Sequence, residues 1–312
     1  MTTLIQRPHG ILFHHFYDGH KHPKVQGGIS GDQLEQMIGW LHKNYHLLSA
    51  DEWYAKAQSG TLDSDDICLT FDDNLLCQFD IALPILEHHR IKAFWFIFTS
   101  PLVGKIEKLE IYRYFRTVYF GDVDDFYRSF NEVISHSEFK TAVSDKLKNL
   151  APEKYLAEFP FYTREDRIFR YIRDQILGPA NYNRLMDKMI EESGIDTQDI
   201  SKNLWNSQDN LRHLKSNGHI IGLHSHTHPT DLKALPVDQQ RQEYTENQSL
   251  LTDILGHVIS TMSHPCNSYN ENTLGILKNL GIDLGFRSNI EEDYASPLEY
   301  PRLDHALLVD KI

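Results

Sequence analysis

Four short apolar runs in this 312-residue chain lead straight into reactive polar residues. Ile11-Leu12-Phe13 ends in His14-His15, and Ile67-Cys68-Leu69-Thr70-Phe71 ends in Asp72-Asp73. Residues 219–223 run into His224-Ser225-His226-Thr227-His228, and residues 258–262 lead to His264-Pro265-Cys266. Such runs have the length and composition of buried strands. Helical patterns lie between them. Ser30-Gly31-Asp32-Gln33 reads as a capping box with Ile29 as its staple, and Leu34, Met37, Ile38 and Leu41 then recur at helical spacing. A second box, Ser49-Ala50-Asp51-Glu52, opens a short helix that stops near Gly60. Residues 79–89 suit a helix despite Pro84, and residues 92–98 suit a strand. A helix carrying Leu211 and Leu214 closes at Asn217-Gly218. Two more, over about 236–255 and 272–280, stop at Gly256 and Gly281. Repeated βα units imply a parallel sheet, and in a parallel barrel the strand C-terminal ends share one mouth.

Residues 101–200 differ in character. They hold 15 basic and 18 acidic side chains and 16 of the 35 aromatics, in helical patterns broken at Gly121-Asp122 and Gly178-Pro179-Ala180. This stretch reads as a mainly helical insertion into a single domain spanning 1–312. Tyr112-Arg113-Tyr114-Phe115-Arg116 and residues 164–173 interleave bases with aromatics, as a cover over a sugar phosphate would. The favoured alternative makes the aromatics a helical core and the arginines its solvated face.

Composition narrows the partners. A net charge of −13 argues against capture of nucleic acid or an anionic membrane surface. No apolar run approaches the roughly 18 residues of a membrane span. Residues 1–10, with Gln6, Arg7, Pro8 and His9, lack the apolar stretch of a secretory signal. Cys68, Cys77 and Cys266 are an odd set without a CxxC pair, as expected of reduced thiols in a cytoplasmic protein.

Taken singly, the polar clusters have plain explanations. Adjacent aspartates after a strand often form a turn or a helix cap, and histidine-rich loops need bind nothing. Together, a carboxylate and two histidines make a facial metal site with open positions. Pro229 biases His228 toward extended backbone, which places the histidines on a loop.

Leu69-Thr70-Phe71-Asp72-Asp73-Asn74 resembles the TFDDG motif of the polysaccharide deacetylases, the NodB-homology group or carbohydrate esterase family 4. Residues 218–229, Gly-His-Ile-Ile-Gly-Leu-His-Ser-His-Thr-His-Pro, resemble the second motif of that family. Ser263-His264-Pro265-Cys266-Asn267-Ser268-Tyr269-Asn270 is similar to its third motif in a form lacking arginine. The resemblance covers roughly 1–100 and 200–312. It implies an α/β fold, a distorted (β/α) barrel with a helical insertion, and a metal-dependent hydrolase that removes an N-acetyl or related acyl group from an amino sugar.

Carried over residue by residue, the resemblance makes Asp72 the catalytic base. Asp73, His224 and His228 become ligands of a divalent cation, with Zn2+ the first expectation. The backbone N–H of Cys266 would stabilise the oxyanion. Leu12-Phe13-His14 resembles the permuted form of the family's general-acid motif, so His14 is the candidate acid and His15 the runner-up. Asn74 and Asn267 replace motif glycines, which asparagine tolerates. Cys266 replaces an aromatic and alters the pocket wall. Ser263 stands where many relatives hold the base with arginine, and Arg302, in Tyr300-Pro301-Arg302-Leu303, is the candidate replacement. The substrate expected from these readings is a soluble or lipid-linked glycan intermediate in the cytoplasm. Three alternatives remain open: a small non-sugar amide or imide as substrate, a catalytically silent carbohydrate-binding protein, and a non-haem iron oxygenase. The full set Asp72, Asp73, His224 and His228 weighs against the last two.

Overall fold

Seven short strands, all parallel, form the central sheet of the computed structural model, which describes residues 5–157, 162–290 and 296–312. They are β1 (His9–Phe13), β2 (Asp66–Phe71), β3 (Phe94–Ile97), β4 (Ile220–Leu223), β5 (Thr261–Ser263), β6 (Leu284–Phe286) and β7 (Arg302–Asp304). Their spatial order is β7-β1-β2-β3-β4-β5-β6, and His46–Leu47 adds a two-residue strand beside β2. The chain after β6 nearly closes the ring. Tyr300 N–H donates to Gly285 O (2.9 Å) and Arg287 N–H to Tyr300 O (3.0 Å), after which the chain enters β7. The fold is thus a nearly closed parallel βα barrel. Residues 1–4 of the N-terminal stretch read above lie outside the described residues.

Local sequence chemistry explains most elements. Ser30 and Gln33 exchange both capping-box bonds at the start of helix Gly31–Asn44, which buries Leu34, Met37, Ile38 and Leu41. Glu52 reaches back to the Ser49 N–H at 3.0 Å, and Gly60 ends that helix in left-handed backbone (φ 67°). Pro84 is tolerated because it sits in the first turn of helix Leu83–His89, after a π-helical turn at Gln78–Ala82. The expected strand over 258–262 is corrected to β5 at Thr261–Ser263. Val258 is 67% exposed, so the apolar run begins before the sheet does.

Strand alternation sorts the side chains. Phe13, Leu69, Phe71, Trp95 and Leu223 pack with the helices, whereas Cys68, Phe94, Phe96 and Phe286 share a second cluster. Phe71 stacks on Phe13 (5.3 Å) and Trp95 (4.5 Å), and each such buried ring contributes roughly 1.5–3 kcal/mol of transfer free energy. The two registers that matter most are Phe13 opposite Phe71 and Leu223 opposite Met262. They bring His14 level with Asp72, and His224 level with Ser263.

The chain divides into two compact units, Met1–Glu107 with Asn203–Ile312, and Lys108–Lys202. The second unit therefore starts a few residues later than expected. Its described residues are mainly helical, with Phe126, Phe130, Phe169 and Tyr182 in one cluster of ring contacts. Here one expectation is corrected in part: Arg116 (5% exposed) and Arg167 (8%) are buried, whereas Arg164 is exposed as expected. Arg167 turns inward to donate to the carbonyls of Tyr155 (2.5 Å) and Tyr162 (3.2 Å). Among the described residues no helix is long and apolar enough to cross a membrane.

Candidate metal centre and active site

At the C-terminal ends of β2 and β4, Asp73, His224 and His228 bring one ligand atom each to within 4.8 Å of the others. Asp73 Oδ1 lies 3.3 Å from His224 Nε2 and 3.2 Å from His228 Nε2. That oxygen is buried and accepts no hydrogen bond. Ligands sharing one tetrahedral zinc at about 2.0–2.1 Å stand about 3.3 Å apart, which is the spacing here. The tautomer of His224 agrees. Its Nδ1 faces the Ser263 carbonyl (3.0 Å) and hydroxyl (2.7 Å), and a carbonyl only accepts. Nδ1 therefore carries the proton and the neutral ring turns its Nε2 lone pair toward Asp73. The three residues fit a divalent cation.

Asp72 points into the barrel instead. Arg302 donates to it through both arms, Nη1 to Oδ1 and Nη2 to Oδ2, each at 2.7 Å. The guanidinium is in turn fixed by Nε on the Arg287 carbonyl (2.8 Å) and by the faces of Phe96 and Phe286. Gly10 makes room for it: a Cβ there would lie 3.0 Å from Arg302 Cγ. At Gly222, two residues before His224, a Cβ would come within 2.6 Å of Phe96 and Thr261. Burial pushes the Asp72 carboxyl up, but Arg302 and then His224 outweigh it and leave it below its ordinary value. Asp73 is also pushed up by burial, and its two histidines bring it well below the usual carboxylate range.

The other expected residues divide. His14 is half-buried, with Nε2 3.9 Å from Asp73 Oδ2, beside the ligand cluster but outside it. His15 is buried next to it, its ring 6.4 Å from that of His14. His264 is buried under Tyr269, with Nε2 2.9 Å from the Leu298 carbonyl, and burial drives it down to about 3. Cys266 is exposed in the turn after β5. Neither it nor Cys68 or Cys77 forms a disulfide.

Backbone strain concentrates in the three loops. Of eight described non-glycine residues at positive φ, six belong to them: Asp73 (78°), Asn74 (55°), Ser225 (63°), His228 (55°), Cys266 (49°) and Asn267 (55°). Each costs about 1–3 kcal/mol unless, like asparagine, it tolerates this region, and such costs gather where function fixes a geometry.

Helix Val237–Leu255 supplies supports that sequence reasoning missed. Asn247, fully buried, accepts from the His224 N–H (2.9 Å) and donates to the Ile97 carbonyl (2.9 Å) and Thr99 Oγ1 (3.1 Å). Glu243 accepts from the N–H groups of His226 (2.9 Å) and Thr227 (2.7 Å). The middle histidine, His226, turns away to Thr99 Oγ1 (2.9 Å) and Glu246 (3.4 Å). A signal existed: Gln240 and Asn247 are polar residues on the buried stripe of Tyr244, Leu251 and Ile254. His305 was also missed. It follows β7 but points elsewhere, with its ring nitrogens 3.1 Å from the Leu12 and Gly27 carbonyls.

The fold is a barrel of the deacetylase type. The family model for polysaccharide deacetylase matches residues 185–285, about a third of the chain, including His224, His228 and Cys266. This match supports the resemblance to the polysaccharide deacetylases over the second and third motifs. Among solved structures it is similar to the Streptococcus pyogenes deacetylase PplD in complex with acetate, at 15% identity over 97% of this chain and 93% of that one (TM-score 0.55). It is similar too to a de-N-acetylase from Aggregatibacter actinomycetemcomitans, at 13% over 95% and 94% (TM-score 0.56). IcaB from Ammonifex degensii gives 13% over 96% and 91% (TM-score 0.56). At such identities these likenesses speak to the fold. A search of curated proteins finds no match.

Proposed function

We propose that this chain is a divalent-cation-dependent hydrolase that removes an N-acetyl or related acyl group from an amino sugar of a glycan or glycan precursor. The carrying observation is the buried Asp73 Oδ1, without a hydrogen bond and facing two imidazole nitrogens at 3.2–3.3 Å. Asp73, His224 and His228 would hold the cation, and their N,N,O donor set suits zinc. When bound, it would acidify an attacking water and polarise the acyl carbonyl.

The chain's own groups supply the rest. Asp72, ionised and locked by Arg302, takes the water's proton; its Oδ2 stands 3.8 Å from His224 Nε2, at the edge of the ligand cluster. The backbone N–H of Cys266 would stabilise the developing oxyanion. The departing amine needs a proton, which His14 Nε2 delivers from the side of Asp73 Oδ2. A silent binding protein would have no use for a buried base held by an arginine. Three cysteines outside any disulfide suit the reducing cytoplasm.

Paired substitutions test the division of labour. Asp73→Asn should lose both bound zinc and activity. Asp72→Asn should keep stoichiometric zinc by elemental analysis while deacetylation falls by about 10²–10⁴. Equal zinc loss in the two variants would refute the assignment.

A further inference from the structure

The unit Lys108–Lys202 gathers positive charge that the proposed hydrolysis does not use. Arg113 comes from helix Lys108–Tyr114 and Arg116 from the π-helical turn Phe115–Tyr119. Arg170 comes from helix Arg164–Tyr171 and Arg173 from the π-helical turn Ile172–Leu177. Arg116 lies over the Phe169 ring at 5.4 Å, and Arg170 over the Tyr162 ring at 3.9 Å. Arg173 pairs with Asp174 through Nε (2.5 Å) and Nη2 (2.9 Å), and Arg113 with Glu110 (3.3 Å).

Arg170 is the exception. Its Nε is buried without a hydrogen bond, and among the described residues no carboxylate forms an ion pair with it. Burial pushes it down to about 10; Tyr162 opposes this, while Arg173, Arg116 and Arg113 add to it. The buried Tyr182 feels Arg173, Arg116 and Arg170 in turn. Arg170 is half-buried with its Nε shielded, and stacking on one ring offsets only part of the repulsion from the other guanidinium groups.

We propose that this cluster is an oxyanion site for a phosphate or diphosphate group, centred on Arg170 and completed by Arg113, Arg116 and Arg173. Guanidinium forks match phosphate oxygens two at a time, and tyrosine hydroxyls at the cluster can add donors. The inference does not rest on the hydrolase reading.

Calorimetric titration of the full chain with inorganic pyrophosphate, at about 0.15 M ionic strength where exposed charges are screened, is the test. Saturable binding is expected, weakened at least about tenfold in Arg170→Gln. Arg170→Lys should fall between, because it keeps the charge and loses the fork. The exposed control Arg212→Gln should bind like the parent. Pyrophosphate should also raise the thermal midpoint of the parent and not that of Arg170→Gln. If Arg170→Gln does not fold, Arg173→Gln carries the same comparison. No saturable binding by the parent, or affinity unchanged in the Gln variant, overturns the proposal.

Discussion

In the barrel unit a buried arginine, Arg302, places both arms on Asp72 at 2.7 Å and its Nε on a carbonyl. In the helical unit Arg170 lies on a tyrosine ring with its Nε making no hydrogen bond. The side chains are identical, yet one has a carboxylate partner, whereas among the described residues no carboxylate pairs with the other. Partnering, more than burial, decides what an interior charge does to stability.

Truncation is the direct way to break this contrast. Arg302→Met should cost about 3–5 kcal/mol in urea unfolding, because it strands the Asp72 carboxylate. Arg170→Met, measured without phosphate, should be neutral or stabilising, since among the described residues no carboxylate pairs with the charge it removes. The pH dependence has a definite sign. With the folded-state value of Asp72 below its ordinary one, the pair stabilises at neutral pH and is lost as pH falls through the lowered value. Without Arg302, burial raises that carboxyl, so the stability deficit of Arg302→Met should be largest at neutral pH and shrink as pH falls and Asp72 takes a proton.

Next in size is His14. His14→Ala should lower turnover about a hundredfold or more, with zinc content unchanged and partial rescue by added imidazole. Unchanged turnover with reduced stability would instead make His14 a packing residue. Asn247→Ala releases the His224 backbone, and zinc affinity measured by competition with a chelator should drop about 10–100-fold. The smallest effect is expected at His226, whose ring turns away from the ligand cluster. His226→Gln should lose about 1 kcal/mol of stability and bind zinc normally. Zinc loss there would erase the distinction drawn between the outer and middle histidines of that loop.

The legible part of the site was what the sequence keeps contiguous. Asp72-Asp73 and His224 to His228 each follow a strand long enough to announce itself, and the capping boxes at Ser30 and Ser49 are local by nature. The partners that hold these groups were harder to see. Asn247 reaches the His224 backbone across 23 residues, and Ser263 reaches the His224 ring across 39. Neither contact leaves a periodic trace. Strands β6 and β7 have three residues each, too few for alternation to show, and their positions follow from the parallel ladder that closes the ring. Arg302 could be suggested only because the third motif lacks its arginine. Its bidentate bond to Asp72 spans 230 residues.

That span has a bearing on how the molecule comes into being. Asp72, Asp73, His224 and His228 all leave the ribosome before β7, the strand that brings Arg302. A nascent chain halted after its third motif would hold every proposed zinc ligand and an unrestrained Asp72. Competence for the proposed hydrolysis would then wait until β7 slides beside β1 and the side chain of Arg302 fills the space left by Gly10.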